Sequence, residues 1–136
     1  MGTDFTWNSE YSTGIEEIDV QHERLLNLLR TIHEASERGM DDARLRGLLE
    51  ELIRTFRFHF ESEELLMKAY EYPRLSEQKM EHELMTRNVL RLSDEAQRNR
   101  ILLTQLLFNI EKWFVEHDNA FDKDFGAFAV RIRSGL

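Results

Sequence analysis

Apolar residues recur along this chain at three- and four-residue intervals in four long blocks, the spacing that gathers side chains on one stripe of an α-helix. In the first block, about Asp19 to Glu37, a stripe of Ile18, Leu25, Leu26, Leu29 and Ile32 is followed by Gly39. The second begins near Asp41 and carries Leu45, Leu48, Leu49, Leu52, Ile53, Phe56 and Phe60. It should end by Tyr72, because Pro73 disfavours helical backbone in the residue before it. Leu75, Met80, Leu84, Met85, Val89 and Leu90 mark a third block, about Arg74 to Gln97. Leu103, Leu106, Leu107, Ile110, Trp113 and Phe114 mark a fourth, about Ile101 to Asn119. No sustained two-residue alternation and no Asn-Gly or Asp-Gly pair announces a strand or hairpin. Links of roughly two to four residues force neighbouring helices antiparallel, so the pattern predicts an all-α, up-down-up-down four-helix bundle.

Around that bundle (19–119), residues 1–18 read as an N-terminal arm whose Phe5, Trp7, Tyr11, Gly14 and Ile15 pack against it. Residues 120–136 read as a C-terminal tail in which Phe121, Phe125 and Phe128 can add a further short helix. The 136 residues suit one domain, 1–136. Such a chain buries about two-thirds of its unfolded surface and needs no covalent staples. It has no cysteine, which removes disulfides, thiolate zinc sites, cysteine-ligated clusters and cysteine nucleophiles. The balance of 26 Asp and Glu against 18 Lys and Arg, net −8, argues against nucleic acid or an anionic membrane surface as partner. No apolar run approaches the ~20 residues of a membrane span, and no signal-peptide pattern opens the chain. A reduced, cytoplasmic location is therefore expected. Met1 to Thr6 fits a myristoylation pattern, for which a cloning residue at Gly2 is the alternative.

Five histidines remain to be explained. A single helical histidine is more often exposed or a packing residue than a ligand, and His33 has no inward partner at ligand spacing. His22, His59, His82 and His117 differ, because each falls on a different helix near the middle of an antiparallel bundle. His59 and Glu63, four residues apart, lie about 40° apart around a helix and can point at one centre. His117 and Asp122, five apart, lie about 140° apart on an ideal helix. They can share a site only if the helix widens or ends between them. Four imidazoles with two carboxylates able to bridge suit iron, or manganese, inside a bundle. Four unrelated surface histidines among ordinary solubilising carboxylates is the competing account.

These residues resemble the bacterial hemerythrins. Ile18-Asp19-Val20-Gln21-His22, with Trp7 and Thr13-Gly14-Ile15 before it, is similar to the opening of that family. His59-Phe60-Glu61-Ser62-Glu63-Glu64 is similar to its HFxxEE segment, and Tyr72-Pro73 followed by His82 to its third helix. Trp113-Phe114 with His117, Asp122 and Lys123 is similar to its last. The resemblance implies a non-haem centre of two iron ions that takes dioxygen or peroxide as ligand. His22 and His59 would hold the iron with the open position, His82 and His117 the other, and Glu63 and Asp122 would bridge. Leu25, Phe60 and Trp113 would line an apolar oxygen pocket that excludes water and protons.

The chain departs from that family at two positions. A fifth histidine is expected four residues before His82, where Gln78 stands, so one iron should lose a nitrogen ligand unless the amide oxygen coordinates. Asp118 stands where an apolar residue is expected. On an ideal helix it lies between His117 and Asp122, so it should face the site as a metal ligand, an outer contact or a proton shuttle. An added carboxylate favours the ferric state, and a polar group beside bound oxygen can deliver a proton. The leading expectation is an oxygen-binding protein for storage, delivery or sensing. A peroxidase-like or oxidase-like di-iron enzyme is the alternative, as is a sensory domain of a larger signalling protein with a degenerate metal site.

Overall fold

Each of the four periodic blocks forms a helix. The computed structural model describes residues 5–135, so the myristoylation pattern, which begins at Met1 and Gly2, rests on residues outside those described. Among the described residues there are no strands. Helix α1 spans Glu16–Glu37, α2 Asp42–Ala69, α3 Leu75–Arg98, α4 Leu103–His117 and α5 Lys123–Arg133. Local chemistry sets the ends. The Asp41 side chain accepts a hydrogen bond from Arg44 N–H (2.8 Å) and caps α2. Gly39 takes the left-handed conformation (φ 82°) that closes α1, with Met40 N–H reaching back to Ala35 O. No helix among the described residues is long and apolar enough to cross a membrane.

The fourth stripe does not stop near Asn119. Residues Asp118–Asp122 form a single π turn, with Lys123 N–H bonded to Asp118 O, and the chain runs straight on into α5. The aromatic tail is thus a continuation of the fourth helix, bent into register by one wide turn.

Two apolar clusters hold the bundle. The larger contains Leu25, Leu26, Leu29, Phe56, Phe60, Met85, Val89, Ile110 and Phe114, with Phe5 buried beneath. Phe5 packs on Phe108, and Tyr11 stands edge-on to Phe114, so the arm seals one side of this core. The smaller contains Ile15, Ile18, Met67, Tyr72, Phe125 and Ala129. Each fully buried leucine or phenylalanine contributes roughly 1.5–3 kcal/mol. In every helix the polar residues fall between the clusters: His22 between Ile18 and Leu25, and His59 and Glu63 between Phe56 and Met67. His82 falls between Leu75 and Met85, and His117 and Asp122 between Phe114 and Phe125. A polar layer therefore crosses the middle of the apolar interior.

On α3 the expected apolar stripe divides: Met85 and Val89 face the core, whereas Met80, Leu84 and Leu90 face outward. Met80 and Leu84 are 70% and 48% exposed. The inward stripe is Gln78, His82, Met85, Val89, Ser93 and Ala96. Its first two members are polar because they belong to the buried layer.

Candidate metal centre

Four helices deliver one imidazole each, and all four are enclosed: His22, His59, His82 and His117. Glu63 reaches the same layer from α2, one turn after His59. Asp122 reaches it because the π turn brings residues five apart onto one face. The geometric condition on His117 and Asp122 is met by widening, and their Nε2 and Oδ1 atoms lie 3.1 Å apart.

The two carboxylates divide their oxygens between the two ends of the layer. Glu63 Oε2 lies 3.1 Å from His59 Nε2 and 3.4 Å from His22 Nε2, whereas Oε1 lies 3.1 Å from His82 Nε2. Asp122 Oδ2 lies 3.2 Å from His22 Nε2, whereas Oδ1 faces His117. The result is two groups of donors able to hold a metal ion: His22, His59, Glu63 and Asp122, and Glu63, His82, His117 and Asp122.

Most of these atoms approach one another without hydrogen-bonding. Both Glu63 oxygens, Asp122 Oδ2, His82 Nε2 and His117 Nε2 are buried with no hydrogen-bond partner. Buried polar atoms without partners are costly. Here they converge on shared points, which is the arrangement a cation satisfies. His22 Nε2 and His59 Nε2 lie 3.0 Å apart, and two donors each ~2.1 Å from one ion at right angles stand about 3 Å apart. The donor set fits a first-row transition metal.

Outer partners orient two of the rings. His59 Nδ1–H donates to Gln21 Oε1 and His82 Nδ1–H to Glu64 Oε2, each at 2.7 Å. With the proton fixed on Nδ1, each Nε2 turns a lone pair to the centre. Aromatic rings enclose the rest. Phe60 stacks on His82 at 4.1 Å, Phe121 on His117 at 5.1 Å, and Phe114 stands edge-on to His22 at 4.8 Å.

Without a cation the layer neutralises itself with protons. Burial opposes protonation of His22, but the carboxylates of Asp122 and Glu63 overcome it and raise its pKa to about 10. His117 is raised as well, against its own burial, by Asp122 and then Glu63. Burial acts to raise the Glu63 carboxyl, but His59, His22 and His82 hold it well below its ordinary range. Asp122 is likewise lowered by His117 and His22, against burial and the neighbouring Glu63.

Gln78 and Asp118 both sit at the layer, fully enclosed. Gln78 Nε2 donates to Asp122 Oδ1 at 3.3 Å. Asp118 lies outside both donor groups. Its Oδ1 is 3.7 Å from His22 Nδ1, its Oδ2 is 3.9 Å from Lys123 Nζ, and neither oxygen is hydrogen-bonded. Burial raises the Asp118 carboxyl to about 7, with His22 opposing. Leu25 is buried in the larger core and Phe60 covers His82. Trp113 is half-buried in a cleft of about 250 Å³ that leads past Met85 and Phe121 to His117. His33 stays apart from the layer, packed against Phe5 and Phe108. Sequence reasoning gave Gln21, Glu64, Phe114 and Phe121 no part at the centre itself. Their signal was their place beside a candidate ligand or within one helical turn of it.

Residues 13–129 match the family model described as Hemerythrin HHE cation binding domain. A bacteriohemerythrin of Pseudomonas paraeruginosa is 30% identical over 111 residues, covering 82% of this chain and 72% of its own length. One of Stenotrophomonas maltophilia is 26% identical over 130 residues (96% and 82%), and one of Clostridium acetobutylicum 24% over 126 residues (89% and 98%). No solved structure matched.

Proposed function

The chain belongs to the hemerythrin HHE cation-binding domain family, and on that premise we propose that it is a non-haem di-iron protein that binds dioxygen for storage, delivery or sensing. The observation that carries the dinuclear reading is the division of the Glu63 and Asp122 oxygens between two pairs of histidines. In this reading His22 and His59 would hold one ion, His82 and His117 the other, and Glu63 and Asp122 would be shared between them. Iron held there supplies the reversible passage between ferrous and ferric states on which dioxygen uptake depends.

The chain's own residues do the rest. Gln21 and Glu64 fix the protons of His59 and His82 on Nδ1. Phe60, Phe114 and Phe121 pack against three of the imidazoles and keep bulk water from those ring faces. Reconstitution under argon should load about two irons per chain, one for each of the two donor groups that share Glu63 and Asp122. Air should then give a coloured form that bleaches when argon returns. A content of one iron or none would sink the dinuclear reading.

A second reading, a peroxidase-like or oxidase-like enzyme, is supported by Asp118. This enclosed carboxylate beside His22 can hold a proton next to the metal layer. Irreversible conversion to a diferric spectrum on first contact with air favours this reading. Asp118→Ile should then prolong the coloured form, and an unchanged decay rate would remove Asp118 from the chemistry.

A further inference from the structure

The two donor groups are alike. Each consists of two imidazoles, one oxygen of Glu63 and one oxygen of Asp122. Four protein donors would leave a first-row ion that takes five or six ligands short of its full set at both ends alike. The asymmetry that a third histidine at one end would create is missing, because residue 78 is glutamine.

Gln78 is 0% exposed and sits at the His117 end of the layer. Its Nε2 donates to Asp122 Oδ1, the oxygen that also faces His117 Nε2 at 3.1 Å. An amide engaged in this way presents a donor, not a lone pair, to the carboxylate oxygen. It therefore clamps Asp122 and does not take the place of an imidazole. Its Oε1 is buried and unpaired, an acceptor for a protic ligand such as water or hydroxide. We propose that Gln78 leaves the ion at His82 and His117 with an exchangeable ligand position of its own, so that the loaded centre takes up a small monoanion at each of its two ions. This rests on the di-iron reading above and adds a second ligand site to it.

The test is a titration of the iron-loaded, oxidised protein with azide. It is followed by calorimetry and by the visible absorption of the centre, after iron has been counted. The wild type should hold two irons and bind two azides per chain. Gln78→Ala removes the clamp but not a ligand, so it should also bind two. Gln78→His supplies an imidazole to the second ion and should bind one. One azide on the wild type and two on Gln78→Ala would show Oε1 acting as a ligand, which overturns the proposal, as would one azide on all three proteins. Two irons with a single azide on the wild type overturns this inference alone, whereas fewer than two irons overturns the di-iron reading as well. If Gln78→His does not fold, judged by its helical circular dichroism, the wild type and Gln78→Ala decide the matter.

Discussion

Asp118 shows how one side chain can resist the layer it occupies. His22 and Lys123 are its nearest cationic neighbours, at 3.7 and 3.9 Å, yet it makes no hydrogen bond. Burial therefore dominates and raises its pKa from 3.8 to about 7. A carboxyl that binds its proton more tightly when folded loses stability as pH rises from 3.8 through about 7. Asn keeps the shape without the charge. Asp118→Asn should therefore raise the melting temperature of the metal-free protein, and the gain should be larger at pH 8 than at pH 5. Equal gains at both pH values would show that the carboxylate finds compensation elsewhere. Asp118 was legible in the sequence as inward-facing, because it lies between two residues that must both reach the centre. That it stops behind His22, on the Nδ1 side of the ring, was not legible, since helical spacing gives the direction of a side chain and not which side of a neighbouring ring it meets.

At the scale of elements, the helices were readable because apolar residues recur at helical spacing, and α1, α2 and α4 buried the stripes expected of them. On α3, Met85 and Val89 faced inward as expected but Met80, Leu84 and Leu90 did not, because the inward positions also carry Gln78 and His82, which an apolar count passes over. The π turn was legible as a condition, since His117 and Asp122 can meet only on a widened or ended helix, and the structure takes the first course. Gln21 and Glu64 were not legible as partners of His59 and His82, because a polar residue beside a ligand looks the same in sequence whether it faces solvent or a ring. Past the π turn, α5 is anchored by close contact with the arm. Asp19 accepts hydrogen bonds from Thr13 N–H and Oγ1 and from Ser12 Oγ, which holds the arm in place. The Thr13 carbonyl then lies over Gly126, where a Cβ would come within 1.8 Å of its oxygen. Backbone cannot yield as a flexible side chain can. Gly126→Ala should cost ~1–3 kcal/mol or more in chemical denaturation. Because α5 follows directly on the π turn, it should also lower metal content. A stable Gly126→Ala protein with full metal would show that the arm moves aside freely.

Across the whole molecule, a polar layer separates two apolar clusters, and its charge must be balanced by protons or by metal. Without metal, His22 and His117 are raised and Glu63 and Asp122 lowered, so protonated imidazoles neutralise the buried carboxylates. A histidine raised in the folded state stabilises fully below its unfolded pKa, and that contribution is lost as pH climbs through the folded value. For His22 the loss runs from pH 6.5 to about 10. The lowered carboxylates behave oppositely, contributing above their ordinary range and losing it only in acid. Metal binding needs the imidazoles deprotonated, so it removes the histidine proton that rising pH would strip from the empty layer. The melting temperature of the chelator-treated protein should fall between pH 6.5 and pH 9.5, while that of the loaded protein, freed of excess iron, changes less. Groups far from the layer titrate alike in both forms and cancel in the difference. The gap between loaded and metal-free protein should therefore widen with pH across this window. A gap that stays constant or narrows would mean that protons are not what holds the empty layer together.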